Sequence, residues 1–275
     1  MTNPPFILTI AGGGSTYTPG IVKSLMVRLA DFPLAEIRLY DIDGPRQDII
    51  APVVEKVIRD HSDSIVFTVT TDAETAFSGA HFVFAQMRVG QYKMREQDEK
   101  IPLRHGVVGQ ETCGPGGLAY GLRTILPMAE LIDLVERYAH KEAWIVNYSN
   151  PAAIVAEGVR RLRPNARVLN ICDMPVAAMR NIAAVLGVDR HDITVDYFGL
   201  NHFGWFTRVL VDGVDRMPEL REHIARYGLL TADAADTDPQ HADPSWVKTW
   251  RNIKPIMDHF PEFVPNPYLQ YYLMP

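Results

Sequence analysis

Two side chains in the 275-residue chain are natural donors to a divalent transition metal: Cys172 in "NICDMP" and His202 in "GLNHFGW". A thiolate is a soft ligand and an imidazole a borderline one, and two such ligands hold a cation weakly unless substrate or water oxygens complete its shell. Each residue alone also has a plainer reading. A strand-end cysteine is more often core, and a histidine among aromatics is more often a satisfied structural side chain. Cys172 and the following Asp173 leave a predicted parallel strand at its carboxyl end, the edge where ligands bind in such sheets.

A second cluster lies near the N-terminus in "FILTIAGGGSTYTPG". A strand runs into Gly12, Gly13, Gly14, Ser15 and Thr16, and a helix then begins. Such a turn lets the backbone approach a pyrophosphate, while the helix N-terminus offers free N–H groups and a positive dipole end. Gly12 and Gly14 match the first two glycines of the dinucleotide fingerprint, but the third position holds Tyr17. Context strengthens the partial match, because the next strand ends at Asp41, placed to accept from a ribose 2′-hydroxyl and to repel a 2′-phosphate. The cofactor expected is therefore NAD rather than NADP. Asp43 reads as a turn former, and a solvated loop acid is the plainer reading of Asp41.

Three further segments are candidates. "VGQETCGPGGLAYG" carries five glycines from Gly109 to Gly121 and reads as a loop that wraps a ligand or as a flexible surface loop. "NYSNP" ends a strand at Asn150, whose amide either orients sugar hydroxyls or caps the helix opened by Pro151. "RVGQYKMREQDEK" places Arg88, Lys93 and Arg95 after another strand, where a solvated charged face is the competing reading.

The elements that must position these residues alternate. Strands are predicted at "FILTIA", "EIRLYDID", "IVFTVTT", "HFVFAQ", "AWIVNYS" and "ARVLNIC", with helices at "PGIVKSLMVRLA", "PRQDIIAPVVEKVIRD", "AETAFSG", "LAYGLRTILPMAELIDLVERYAH" (bent at Pro127) and "AAIVAEGVRRLR". Near-continuous apolar strands between helices imply an α/β fold with a doubly wound parallel sheet. From Tyr197 the character changes to a strand pair, "YFGLNHFGWFTRVLVDGVD", expected to turn at Asp212-Gly213, followed by polar segments rich in Pro and Asp. This divides the chain into a dinucleotide-binding domain, residues 1–196, and an incomplete substrate domain, 197–275. The terminal "NPYLQYYLMP" shows no closing element, and its aromatic side chains have no visible partner.

The formal net charge of −6 argues against nucleic acid and anionic membrane as partners. No apolar run has the length of a bilayer span, and no signal peptide precedes the first strand. Cys113 and Cys172 stand in no paired or finger spacing, so a cytoplasmic setting is expected.

The strings GGGST, RVGQY, GVVGQETCGPGG, NYSNPAAIV, NICDMP, GLNHFGW and PYLQYY, in this order from Phe6 to Pro275, closely resemble glycoside hydrolase family 4, above all its 6-phospho-α-glucosidases. The family's NAD-dependent route sets it apart from two-carboxylate glycosidases. The resemblance implies a lactate-dehydrogenase-like Rossmann domain followed by a mixed α+β substrate domain. It also implies bound NAD and a divalent metal, commonly Mn²⁺. Hydride leaves C3 of the sugar, the C2 proton is removed, the glycosidic oxygen departs by elimination, water adds and the hydride returns. By motif, Cys172 and His202 resemble the metal ligands, Asp173 the acid for the leaving oxygen, and Tyr268 the base. Glu111 resembles the residue that raises the basicity of Tyr268, and Arg95 and Asn150 resemble substrate contacts. A phenol with an ordinary pKa near 10 needs a depressed value or a strong partner to act near neutrality. The Asp after the Cys in "CDMP" resembles members acting on α-linked phosphosugars such as maltose 6-phosphate, where β-specific members tend to have Asn.

Family members continue well past "YYLMP", so the chain resembles an N-terminal fragment of a protein that forms homodimers or homotetramers at full length. Rival readings are a family 4 enzyme of other specificity, acting on 6-phospho-β-glucosides or α-galactosides, a hydroxy-acid dehydrogenase, and an inactive NAD-binding remnant.

Overall fold

The structure, a computed structural model, describes residues 5–236 and 244–274. By contacts the chain gathers into two compact units, residues 1–96 with 118–171 and residues 97–117 with 172–275. The units interleave, whereas the division expected after residue 196 follows chain order. Part of the Pro- and Asp-rich segment, residues 237–243, lies outside the described residues.

The first unit opens with β1 (Phe6–Ala11), α1 (Thr18–Met26), β2 (Leu34–Tyr40), α2 (Gly44–Arg59), β3 (Val66–Thr70), α3 (Ala73–Phe77) and β4 (Phe82–Ala85). Two helices, α4 (Gln91–Arg104) and α5 (Gly114–Tyr138), carry the chain through the residues of both units before β5 (Trp144–Asn147), α6 (Ala152–Leu162) and β6 (Val168–Asn170). The six strands form one sheet in the order β3-β2-β1-β4-β5-β6, and every pairing is parallel. This is the strand order of doubly wound dinucleotide folds, in which ligands bind at the carboxyl ends where the order reverses. Here the reversal lies between β1 and β4, beside the glycine turn.

Patterning accounts for the layers. Leu8, Ile10, Ile37 and Leu39 are buried in the strands, and α2 buries Gln47, Ala51, Val54 and Ile58, one stripe at helical spacing. Each fully buried aliphatic side chain contributes about 1.5–3 kcal/mol. Asp43 starts α2 by accepting from the Arg46 N–H at 3.2 Å, and Asp72 starts α3 by accepting from the Thr75 N–H at 2.8 Å, which are N-caps.

The second unit continues with α7 (Met174–Leu186), β7 (Ile193–Leu200), β8 (Phe203–Val211), β9 (Val214–Asp215), α8 (Met217–Tyr227), α9 (Ala232–Asp236), α10 (Pro244–Arg251), α11 (Ile253–His259), β10 (Val264–Pro265) and α12 (Gln270–Leu273). Its small antiparallel sheet runs β10-β8-β7, with β9 on β8. Phe206 and Val209 of β8 pack with Ile182 of α7, Leu220 and Ile224 of α8, Ile253 of α11 and Val264 of β10.

Several expectations are corrected here. Asp212-Gly213 does turn the chain, but only from β8 into the two-residue β9; the long pair is β7 with β8, and it turns at Asn201-His202. The glycine-rich run is helix from Gly114 onward, because Gly116 and Gly117 let the helix start approach the backbone of Asp98 and Thr112. The helix predicted from Leu118 thus begins four residues earlier and includes Pro127. The terminal aromatics have partners: Tyr268 stacks on His202, and Tyr272 lies edge-on to Phe203 at 5.1 Å.

Candidate functional site

In the second unit the loop between β7 and β8 is tight, and His202 sits in it with φ +62°. Histidine enters this left-handed region more readily than most residues. The imidazole is buried there, 4% exposed. Its Nε2 lies 3.4 Å from Cys172 Sγ, so two groups thirty positions apart converge. On the other edge Nδ1 lies 2.9 Å from Thr112 Oγ1. The Tyr268 ring stacks flat on the imidazole, with centroids 3.8 Å apart and planes within 4°.

Asn266 holds Tyr268 in place. This fully buried residue donates its own N–H to Gly204 O at 2.8 Å and its side-chain amide to Tyr197 OH at 3.3 Å. Its Oδ1 accepts from the Tyr268 N–H at 3.0 Å. Two bonds thus tie this N-cap residue to β7 and β8, and the third ties it to the short helical turn that carries Tyr268. Asp173 occupies the N-cap position of α7, with Oδ1 4.0 Å from Cys172 Sγ.

The electrostatics follow from burial. Desolvation pushes the His202 pKa down to about 4, with the nearby Asp173 carboxylate opposing. Burial pushes the Cys172 thiol up, and Asp173 adds to the shift. The Tyr268 phenol is also raised, chiefly by burial and then by the charges of Cys172, Tyr271, Asp173 and Glu111. Its proton is therefore held more tightly than in water, the opposite of the depressed value sought from the sequence. The Glu111 contribution has the sign of a residue that makes the phenolate more basic.

A metal fits this donor set. The 3.4 Å between Sγ and Nε2 is less than the sum of two ordinary metal–ligand bonds, about 4.3 Å, so one ion can touch both atoms. Among the described residues, no group of three His, Cys, Asp or Glu side chains gathers as a metal site. Cys113 is buried and free, and it lies against Thr112 Oγ1 at 3.9 Å.

The glycine turn belongs to the first unit. Gly12 takes φ +87°, a conformation open to glycine, and Gly12 and Gly13 both donate to Tyr40 O at 2.9 Å. Asp41 follows β2 as expected. Its Oδ2 accepts from the Gly14 N–H at 2.9 Å and its Oδ1 from the Asp43 N–H at 3.0 Å, so the acid braces the turn and retains further lone pairs. Arg46 closes it by donating to Gly14 O at 2.8 Å. Ser15 accepts from the Tyr17 N–H at 3.2 Å; Thr16 is exposed. No side-chain oxygen caps the N-terminus of α1, which suits an anionic ligand there. A dinucleotide thus fits the turn.

The second unit therefore brings together Cys172, Asp173, His202, Tyr268 and Glu111. Arg95 lies half-buried on α4, with Lys93 exposed beside it, and Asn150 follows β5; both Arg95 and Asn150 belong to the first unit. Asn150 is not the cap of α6, since the N-cap residue is Pro151. Arg88 lies over the Tyr120 ring at 5.3 Å. Gln110, Thr112 and Asn266 were not singled out from the sequence. The available signals were the adjacency of Thr112 to Glu111 and the Asn-Pro step before Tyr268.

Comparison with known proteins gives a consistent picture. A family model described as "Family 4 glycosyl hydrolase" matches residues 7–188, and one for the family's C-terminal domain matches residues 197–275. The chain is 49% identical over 272 residues to maltose-6'-phosphate glucosidase MalH of Clostridium acetobutylicum, covering 98% of this chain and 61% of that protein. It superposes with TM-score 0.94 and 50% identity on a crystal structure of a 6-phospho-alpha-glucosidase from gut microorganisms in complex with NAD and glucose-6-phosphate, covering 99% of this chain and 61% of the other. A second 6-phospho-alpha-glucosidase from gut microorganisms, in complex with NAD and Mn²⁺, gives TM-score 0.91 and 44% identity over 99% of this chain and 61% of the other. Lactate dehydrogenase of Eimeria maxima, at 13% identity and TM-score 0.58 over 99% of this chain and 74% of the other, shares the fold alone. The chain thus spans about 61% of the length of these phosphoglucosidase relatives.

Proposed function

The chain belongs to glycosyl hydrolase family 4, and from that premise we propose that it serves the hydrolysis of 6-phospho-α-glucosides such as maltose 6-phosphate. NAD and a divalent metal, Mn²⁺ foremost, are the proposed resident groups. The observation that carries the reading is the meeting of Cys172 Sγ and His202 Nε2 at 3.4 Å with Tyr268 stacked on the imidazole. Relatives at 49% and 50% identity named for this substrate class support it, as do relatives bound to NAD, Mn²⁺ and glucose-6-phosphate.

In this reading Cys172 and His202 hold the metal, and the turn from Gly12 to Thr16 with Asp41 holds NAD. When bound, the metal supplies a Lewis acid and a local positive charge, and NAD a hydride acceptor. Tyr268 removes the C2 proton. Its phenol starts with a tightly held proton, and a cation at the neighbouring Cys172 and His202 acts against that shift. Glu111 adds basicity to Tyr268 through its charge. Asp173, beside Cys172, delivers a proton to the departing glycosidic oxygen, and Arg95 and Asn150 contact the phosphosugar. The parallel sheet within residues 1–196 serves the dinucleotide, and 197–275 begin the substrate domain, with which residues 97–117 and 172–196 share a compact unit.

The setting proposed is the cytoplasm, with a phosphorylated disaccharide as the partner, neither nucleic acid nor membrane as a ligand, and a homo-oligomer as the assembled form. Among the described residues, no helix is long and apolar enough to cross a membrane. The test is to mix the purified chain with NAD⁺, Mn²⁺ and a chromogenic 6-phospho-α-glucoside. Chromophore release without lasting NADH absorbance is expected. NADH accumulating with a hydroxy acid instead, or NAD binding without either reaction, would overturn the proposal.

A further inference from the structure

We infer that Gln110 and Thr112 are positioning residues that hold His202 in one tautomer, with the proton on Nδ1 and a bare Nε2 facing Cys172. The inference rests on the proposed metal role of that pair, and it follows from a short chain of donors and acceptors. The backbone N–H of Thr112 lies 2.6 Å from the Gln110 side-chain atom assigned as Oε1. An N–H can only donate, so that atom must be the amide oxygen and the orientation of the amide is settled. The Thr112 hydroxyl lies 2.8 Å from the same oxygen, which carries no proton, so the hydroxyl donates to it. The competing contact to Cys113 Sγ is longer, at 3.9 Å.

With its proton committed to Gln110, Thr112 Oγ1 meets His202 Nδ1 at 2.9 Å as an acceptor. The ring must then donate from Nδ1. A neutral imidazole carries one N–H, which leaves a lone pair on Nε2, 3.4 Å from Cys172 Sγ. That is the form able to bind a metal through Nε2, and an outer partner on the far nitrogen is how ligating histidines are commonly oriented. Thr112 is 8% exposed and His202 4%, so water competes poorly for these contacts. All three residues belong to one compact unit.

The test uses the full 275-residue chain and two readouts. The first is the His202 tautomer in the metal-free, ¹⁵N-labelled chain, read from long-range ¹H–¹⁵N correlations. The Nδ1–H form is expected in the wild type and in Thr112→Ser, and it should give way to a mixture or to Nε2–H in Thr112→Val. The second is Mn²⁺ affinity by titration. Thr112→Val is expected to weaken it by about 10–100-fold, Gln110→Ala to weaken it in the same direction, and Thr112→Ser to stay close to wild type. A wild-type tautomer in Thr112→Val overturns the inference, as does equal loss in Thr112→Ser and Thr112→Val. Failure of the metal reading is separately visible, because wild type and Cys172→Ser would then bind Mn²⁺ equally while the tautomer readout still decides the role of Thr112.

Discussion

Replacing Gly13 by alanine tests how tightly the dinucleotide turn is built. A Cβ at Gly13 would lie 2.6 Å from Gln47 Oε1 and 2.8 Å from Leu39 Cβ. Ordinary carbon contacts are about 3.5–4.0 Å, so something must move by roughly 0.7 Å or more. Neither neighbour is free to do so. Leu39 is fully buried in β2, paired with Ile10 on one side and Val69 on the other. Gln47 is 1% exposed and donates to Thr70 O at 3.1 Å. Such overpacking costs about 1–3 kcal/mol, or a fall in melting midpoint of about 2–12 °C for a chain of this size. The displaced turn should also bind NAD about tenfold more weakly, equivalent to about 1.4 kcal/mol. Gly20→Ala is the internal control, because its Cβ meets nothing within 4 Å and it lies in α1. It should stabilise by about 0.4–1 kcal/mol and leave NAD binding unchanged. Thermal melts and calorimetric titration of both variants decide the matter. A Gly13→Ala chain that melts and binds as wild type, or a Gly20→Ala chain damaged equally, refutes the reasoning.

Two further outcomes are expected. Cys172→Ser should weaken Mn²⁺ binding by at least about tenfold, since a soft thiolate is lost, while NAD affinity stays near wild type because Gly12 to Thr16 and Asp41 belong to the other unit; parallel titrations check this. The pH dependence of stability should carry a signature of His81, whose Nδ1 accepts from the Ile7 N–H at 3.1 Å and whose ring stacks on His140 at 5.2 Å. Burial first, and then the charge of His140, lower its pKa from 6.5. The folded state thus binds the proton less readily than the unfolded chain, and the contribution to stability is complete above 6.5 and lost as pH falls below it. Urea midpoints measured from pH 7.5 to 5.5 should fall less steeply in His81→Gln, which keeps an acceptor but does not titrate; an unchanged slope counts against this account.

The sheet was legible because most of its strands are apolar runs ended by Gly, Asp or Asn, and chain order with parallel pairing leaves few topologies. The metal pair was legible as residue types, but its convergence was not, since contact between residues 172 and 202 depends on a turn at Asn201-His202 that "LNHF" signals weakly. The stronger turn signal, Asp212-Gly213, drew the hairpin to the wrong place. Helix α4 was missed because "QYKMREQDEKIPLR" buries only Asp98 and Pro102 and so lacks an apolar stripe. Its Glu, Gln, Lys, Arg and Met content was the available clue. Helix α7 was not named either, although Pro175 near its start and Gly187 in the left-handed conformation at its end are standard boundaries. The roles of Thr112 and Asn266 lie beyond periodicity, because both act through hydrogen bonds to residues distant in sequence.

The interleaving of the two units imposes a schedule on synthesis. Residues 97–117 leave the ribosome well before residues 172–275, with which they share a unit, and His202 trails Thr112 by 90 positions. At roughly 5–20 residues per second, that lag is about 4.5 to 18 s. The parallel sheet can close once residue 171 has emerged, while the stretch carrying Gln110, Glu111 and Thr112 waits for its later neighbours. Nascent chains arrested between these points should be nicked by protease in that stretch and become resistant once translation resumes.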